Sequence, residues 1–391
     1  MIYFDSAATT YPKPASVRSA AADAIVRYGG NPGRSGHKLS ISASSAVYSV
    51  REKAAQMFGA EPQNVVFTSN CTHSINIAVK GIAEEALREK RDFHVIISNL
   101  EHNSVARPVY EMTKRGLTYS IAEVHPDDDV TVMNFERLIT PKTAAVVCTL
   151  GSNVTGQLLP FRRIGEMCRR HGICFIADGA QVCGVLPVNM QEDNINILCM
   201  PGHKGLFGIS GTGLMITDGK FPIYHIMEGG TGSTSLELEQ TPFLPEGLES
   251  GTVNTVGIVS VGAGIDFINR YGHDRISDHE NALCSRFIAG LERLDGVRIY
   301  RRDRAKYLPI VLFNLDGILP EEATSLLSDR GFALRGGLHC SGLAHKAAGT
   351  LPNGAIRFSP SCFNTTVETD MLCRAIGDIC KIGRASCRER V

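Results

Sequence analysis

The chain is 391 residues long, 43% hydrophobic and 20% charged, with 39 glycines and 17 prolines, a composition that excludes disorder and fibrous repeats and leaves room for two domains. Forty Lys and Arg offset forty Asp and Glu, so no net field draws the molecule to nucleic acid or to an anionic membrane, and neither is an expected partner. The start, MIYFDSAATT, lacks the basic-then-apolar pattern of a leader, and no apolar run approaches the roughly 18–20 residues of a membrane span.

From residue 63 onward, short β-branched runs alternate with helical periodicity. NVVFT (64–68) reads as a strand, and Thr72 to Lys90 as a helix with Ile75, Ala78, Val79, Ile82 and Ala86 on one face. HVIIS (94–98), a helix near 104–115, LTYSIAEV (117–124), AAVVCTL (144–150) and a helix near 161–171 follow, then ICFIAD (173–178), INILCM (195–200) and GTGLMIT (211–217). Near-continuous apolar strands separated by helices predict an α/β fold on a largely parallel sheet covered on both faces. Past Gly251 the texture changes to a long apolar helix (about 255–271) and another around 277–294. An α+β stretch then holds LPIVLFNL (308–315), a helix near 320–330 and GAIRFSP (354–360). Residues 16–255 are expected to form a large domain and 256–381 a smaller α+β one, with residues 1–15 against the cleft. The final helical pattern stops at about Lys381. The arginine-rich IGRASCRERV (382–391) reads as a non-native tail, a translated sequencing adapter joined to a truncated gene.

In such sheets ligands bind outside the carboxyl ends of the strands. After NVVFT, Ser69-Asn70-Cys71-Thr72 opens a helix, which suits an anion, although an ordinary Thr N-cap fits as well. After ICFIA come Asp178 and, one turn on, Gln181. A carboxylate there could face a cationic ring nitrogen, bind a metal or cap a helix. After INILCM come Pro201, Gly202, His203, Lys204 and Gly205. A glycine-flanked lysine at a buried strand end suits a Schiff base, the alternative being a surface-turn lysine. Together the three turns can hold a phosphate, a pyridine nitrogen and an aldehyde. Neither a P-loop nor a dinucleotide-binding glycine pattern occupies a strand-to-helix turn.

With these residues in place the sequence resembles the class V aminotransferase-like enzymes, and within them the cysteine desulfurases and selenocysteine lyases. The likeness spans residues 1 to about 381, through YFDSAATTYPKP, NPGRSGHKLS (31–40), EHNS (101–104), SNVTGQ (152–157), ADGAQ (177–181), GHKG (202–205), ESGTVNT (249–255) and RGGLHC (335–340). It implies a fold-type-I transferase that uses pyridoxal 5'-phosphate. Lys204 would carry the cofactor, Asp178 face the pyridine nitrogen, Gln181 bond the phenolic oxygen and His102 stack on the ring. Thr72 and the Cys71 backbone, aided by His203, would hold the phosphate. Thr252 would reach the phosphate of a neighbouring subunit, implying a homodimer with shared sites. Asn153, Arg357 and Arg335 would bind the substrate, Arg357 gripping its α-carboxylate. Pro201 stands where related enzymes often have Ser or Thr, removing one possible phosphate bond.

The twelve cysteines show no C-x-x-C pair and no zinc-like Cys/His spacing. No metal site is expected, and a reducing, cytoplasmic compartment is. Cys148, Cys168, Cys174, Cys199 and Cys284 lie in apolar runs as small hydrophobes. Cys340 differs. Arg335-Gly336-Gly337-Leu338-His339-Cys340 has the R-x-G-x-H-C form of the second group of these enzymes, and its glycines, histidine and arginine read as a flexible, electropositive loop that favours a thiolate. The resemblance implies that L-cysteine becomes L-alanine. Lys204 would move the Cα proton, His102 manage the sulfur's proton, and Cys340 take the sulfur as a persulfide for an acceptor protein. Selenocysteine is the alternative substrate. An aminotransferase, epimerase or kynureninase-like enzyme would need no cysteine at position 340, and a non-enzymatic sulfur carrier would need no intact lysine site.

Overall fold

The computed structural model describes residues 1–33, 35–90, 92–233 and 235–388, with side chains to Lys381. The expected non-native tail lies outside the described residues except for its helical backbone to Arg388, seven residues past the expected helix end.

The chain opens with a short strand β1 (Ile2–Tyr3), then helices α1 (Ala15–Arg27) and α2 (Lys38–Phe58). Strands β2 (Val65–Thr68), β3 (His94–Ser98) and β4 (Thr118–Ala122) alternate with α3 (Cys71–Arg88) and α4 (Asn103–Thr113). Next come α5 (Asp128–Glu136), β5 (Thr143–Thr149), α6 (Phe161–His171), β6 (Cys174–Asp178), β7 (Ile197–Pro201) and β8 (Gly213–Thr217). These seven strands form one sheet in the order β2-β8-β7-β6-β5-β3-β4. Only β8 runs against the rest, so the sheet is mostly parallel, as the sequence pattern predicts.

Side chains alternate across this sheet. Val65, Phe67, Ile96, Val146, Phe175 and Leu198 point into one core, and Val66, Val95, Ile97, Val147, Ile176 and Ile197 into another. Helices α3 and α4 cover the second face. The first is covered by α2, α6 and α7 (Thr255–Tyr271). Helix α7 therefore packs with the large sheet, against α1 and α2, although it begins where the sequence changes texture. Its small residues explain that texture: a Cβ at Gly264 would collide with the Leu206 carbonyl oxygen, so only glycine lets α7 lie beneath the Lys204 turn.

The rest of the chain is α8 (His273–Leu291), β9 (Val297–Ile299), β10 (Val311–Leu315), α9 (Pro320–Asp329), β11 (Phe332–Ala333), β12 (Arg335–Gly337), α10 (Gly342–Ala348), β13 (Ala355–Phe358) and α11 (Thr366–Arg388). A four-stranded sheet, β12-β13-β10-β9, packs a separate core of Phe287, Phe313, Phe358, Leu372 and Ile376. The chain start joins this second unit: β1 pairs with β11, and Phe4 is fully buried in the same core. No helix among the described residues is long and apolar enough to cross a membrane.

Candidate active site

All the parallel strands of the large sheet end on one side, and their following turns meet there in a cleft of about 790 Å³ including its open mouth. Cys71 and Thr72, His102, Asn153, Asp178 and Gln181, and His203 and Lys204 all line it. Arg335, His339 and Arg357 close it from the second unit. Of the sequence-predicted residues only Thr252 and Cys340 are not on its wall.

At the helix start beyond β2, Asn70 rather than Thr72 is the N-cap, its side chain accepting from the His73 N–H at 2.9 Å. Within the described residues this leaves the N–H groups of Cys71 and Thr72, at the positive end of an 18-residue helix, without an acceptor. Asp178 is 3% exposed. Its Oδ1 accepts from the Ala180 N–H (3.0 Å) and the Cys71 thiol (3.5 Å), so its other oxygen is left for the cleft. Burial, then the Arg357 charge, push the Lys204 amine below its ordinary range, toward the neutral form a nucleophilic amine needs. Gln181 donates to the Ala7 carbonyl at 3.1 Å.

His102 caps α4, its Nδ1 accepting from the Ser104 N–H at 3.0 Å. Burial holds the ring neutral. With Nδ1 an acceptor the proton sits on Nε2, so the ring can donate from that atom but Nδ1 is not free to take a proton. The residue before it, Glu101, is fully buried. Its carboxyl group accepts from the Ser98 hydroxyl and from the N–H groups of Ser98 (3.2 Å) and Thr149 (3.1 Å), tying the ends of β3 and β5 together.

The chain start contributes more than its sequence reading suggests. Arg357 is 1% exposed, with Nη2 paired to Asp5 at 2.6 Å and Nη1 donating to the Asn153 carbonyl at 2.9 Å. Its Nε is buried without a partner. Thr9, Thr10 and Lys13 bind the back of the lysine turn. The His203 carbonyl accepts from Lys13 Nζ (2.6 Å) and the Thr9 hydroxyl (3.1 Å), and the Lys204 carbonyl from the Thr10 hydroxyl (2.9 Å). His203 Nδ1 meets that Thr9 hydroxyl at 3.0 Å, and burial pushes the ring down to about 4. Thr252 is exposed and accepts from the Asn31 amide at 3.2 Å.

Cys340 is exposed at the rim, with an Arg335 guanidinium nitrogen 3.8 Å from its sulfur. Its loop is not flexible in the way the glycines suggest. The Asn153 amide brackets it, donating to the His339 carbonyl (2.9 Å) and accepting from the Ser341 hydroxyl (2.7 Å). The Asn103 N–H donates to the Cys340 carbonyl at 2.8 Å. Nor does His339 add charge, since it is buried and pushed down to about 2 by burial and by Arg357. The electropositive character comes from the two arginines. Asp5 and Glu101 escape the sequence reading because they act by contact with distant segments, at Arg357 and Thr149. His345 acts instead on His339 and Thr350, six and five residues away, through a loop geometry that no sequence pattern marks. The one available signal was the position of Asp5 and Glu101 within the quoted motifs.

The family model for aminotransferase class-V matches residues 2–372. Among curated proteins the chain is 29% identical to a probable cysteine desulfurase of Methanothermobacter thermautotrophicus, over 98% of this chain and 95% of that one. It is also 29% identical to one of Halalkalibacterium halodurans, over 96% and 92%. Among solved structures, the apo cysteine desulfurase from Thermococcus onnurineus NA1 superposes with a TM-score of 0.90 at 29% identity, covering 97% of this chain and 94% of that one. A NifS-like protein superposes at 0.85 and 25% identity, over 97% and 99%. A fold, a cleft and a family match that all run nearly the length of the chain give one conclusion: it belongs to the class-V aminotransferase family.

Proposed function

We propose that the protein is a pyridoxal-phosphate-dependent cysteine desulfurase that converts L-cysteine to L-alanine and carries the sulfur on Cys340. The observation that carries this reading is one cleft holding a half-buried lysine and an aspartate with one oxygen free, with an exposed cysteine beside an arginine on its rim.

The residues fit the cofactor. The free N–H groups of Cys71 and Thr72 suit its phosphate, and the open oxygen of Asp178 suits a protonated ring nitrogen. Lys204 suits its aldehyde, and the half-buried His102 ring its face. When bound, the cofactor supplies an electron sink for the substrate's Cα. The protein supplies the remainder. Arg357, with an unpartnered buried Nε, receives the substrate carboxylate. Lys204 Nζ, moved by burial toward the neutral amine, takes the Cα proton. His102 offers the Nε2–H donor toward the guest. The Cys340 thiolate attacks the substrate sulfur: an S–S bond forms, the C–S bond breaks, and its electron pair stays on the carbon that gains a proton to become the methyl of alanine. The exposed persulfide is then open to an acceptor protein. Thr252, outside the cleft of its own chain, is assigned to the phosphate of a partner subunit's site.

Product analysis tests the reading. Wild-type protein should release alanine from cysteine with one persulfide on Cys340, and Cys340→Ala should lose cysteine turnover by at least about a hundredfold. Keto-acid products would instead place the chain among the transaminases of its family. Selenocysteine assayed beside cysteine separates the lyase, in which selenium release survives the loss of Cys340.

A further inference from the structure

Two successive non-glycine residues, His339 (φ +48°) and Cys340 (φ +57°), occupy the left-handed backbone region, which L-residues avoid. Something must hold them there. From above, Asn153 and the Asn103 N–H grip the loop. From below, the His339 ring lies 3% exposed against His345, which is fully buried, with centroids 5.3 Å apart and planes at 11°.

The hydrogen bonds of this pair have one consistent solution. His339 Nε2 lies 3.1 Å from the Arg335 carbonyl, and a carbonyl can only accept, so Nε2 carries the proton. Burial and the Arg357 charge keep His339 neutral, so its Nδ1 is an acceptor. At 3.1 Å from that atom stands His345 Nε2, which must be the donor. His345 is held neutral in the same way, pushed down to about 4. Its Nδ1 therefore accepts from the Thr350 hydroxyl at 2.7 Å, which takes that hydroxyl's one proton in preference to the His345 carbonyl at 3.2 Å. The direction of every proton is set by the carbonyl at one end.

We infer that Thr350, His345 and His339 form a positioning relay that fixes Cys340 for sulfur transfer. The relay ends on the Arg335 carbonyl, while the guanidinium of the same residue sits 3.8 Å from the Cys340 sulfur. It thus closes a ring through Arg335, His339 and Cys340 that holds the thiol and its cation at one separation. His339, the sequence neighbour that looks like a base for the thiol, is excluded from that task because both its nitrogens are committed. This inference rests on the reading of Cys340 as the sulfur nucleophile.

The test compares two replacements of His345 in the cofactor-loaded enzyme, following persulfide formation on Cys340 in a single turnover by mass spectrometry. His345→Leu should slow that step ten- to a hundredfold, the cost of a small misplacement of reacting groups, with KM for cysteine and the cofactor's absorption unchanged. His345→Gln, which keeps a donor toward His339, should recover the rate to within about threefold. Equal rates for the Leu and Gln variants overturn the relay. Should the Leu variant not fold, histidine-selective ¹⁵N labelling of the wild type decides. Both rings should be protonated on Nε2 alone at neutral pH, and an Nδ1–H form of either overturns the relay. Cys340→Ala run alongside separates the two ideas. Full cysteine turnover in that variant sinks the nucleophile reading, whereas its inactivity together with equal Leu and Gln rates sinks only the relay.

Discussion

Arg357 shows how much of a site residue's behaviour lies in its partner. A guanidinium with 1% exposure is sustained by Asp5, whose carboxylate lies 2.6 Å from Nη2. Removing one member of a buried pair leaves the other uncompensated, at a cost of about 3–5 kcal/mol. Asp5→Ala should therefore lower stability by that order in denaturant titration. Asp5→Asn keeps the shape but not the charge. It should also unfold earlier, yet bind the substrate carboxylate several-fold more tightly because the guanidinium has lost its resident anion, a difference visible as a lower KM. At this scale the sequence was informative where chemistry follows a strand end, as for Lys204 and Asp178, whereas His102 came only from the family resemblance. It was silent on Asp5, because nothing local marks a residue whose partner stands at position 357. It misjudged the Cys340 loop for the same reason, since glycines suggest freedom and the restraints come from Asn153 and Asn103.

Among elements, the strands of the large sheet were legible within a residue or two, and all but the edge strand β4 are buried on both faces, giving near-continuous apolar runs. HVIIS and the helix at 161–171 fall at the expected bounds. Helices α1 and α2 were not identified. Their faces are weakly divided, with Ile25, Val26, Leu39, Ile41 and Tyr48 exposed and Ser40 buried, so no clear 3.6-residue stripe appears. Helix α7 was located correctly, but its packing could not be read from its own residues. The collision expected at Gly264 makes a direct test: Gly264→Ala should cost roughly 1–3 kcal/mol by forcing α7 from the Leu206 carbonyl. It should also weaken cofactor retention, since Leu206 is two residues from Lys204. Thermal unfolding and cofactor occupancy after dialysis would report the two effects.

For the whole molecule, two buried carboxyls set a pH dependence. Glu101, between β3 and β5, and Glu280, in α8, are each pushed up from 4.5 to about 8 by burial. Between those limits the folded chain holds protons that the unfolded chain has released, so stability falls as pH rises through the window. The buried histidines act oppositely, but their contribution ends near their unfolded value of 6.5. Measured between pH 6.5 and 8, Glu280→Gln should show a flatter loss of stability than wild type, and a parallel decline in both would refute the assignment.

The pairing of Ile2 and Tyr3 with Phe332 and Ala333 has a consequence for the timing of synthesis. Strand β1 cannot find its neighbour until some 330 residues have followed it, roughly 15–65 s at elongation rates of about 5–20 residues per second. Through that interval Asp5 has no Arg357 to pair with, while Thr9, Thr10 and Lys13 can dock as soon as the Lys204 turn has formed. The large sheet can form early, but the arginine clasp and the second wall of the cleft arrive only with the last quarter of the chain. A nascent chain halted after β8 would own the lysine and the aspartate and still have no enzyme.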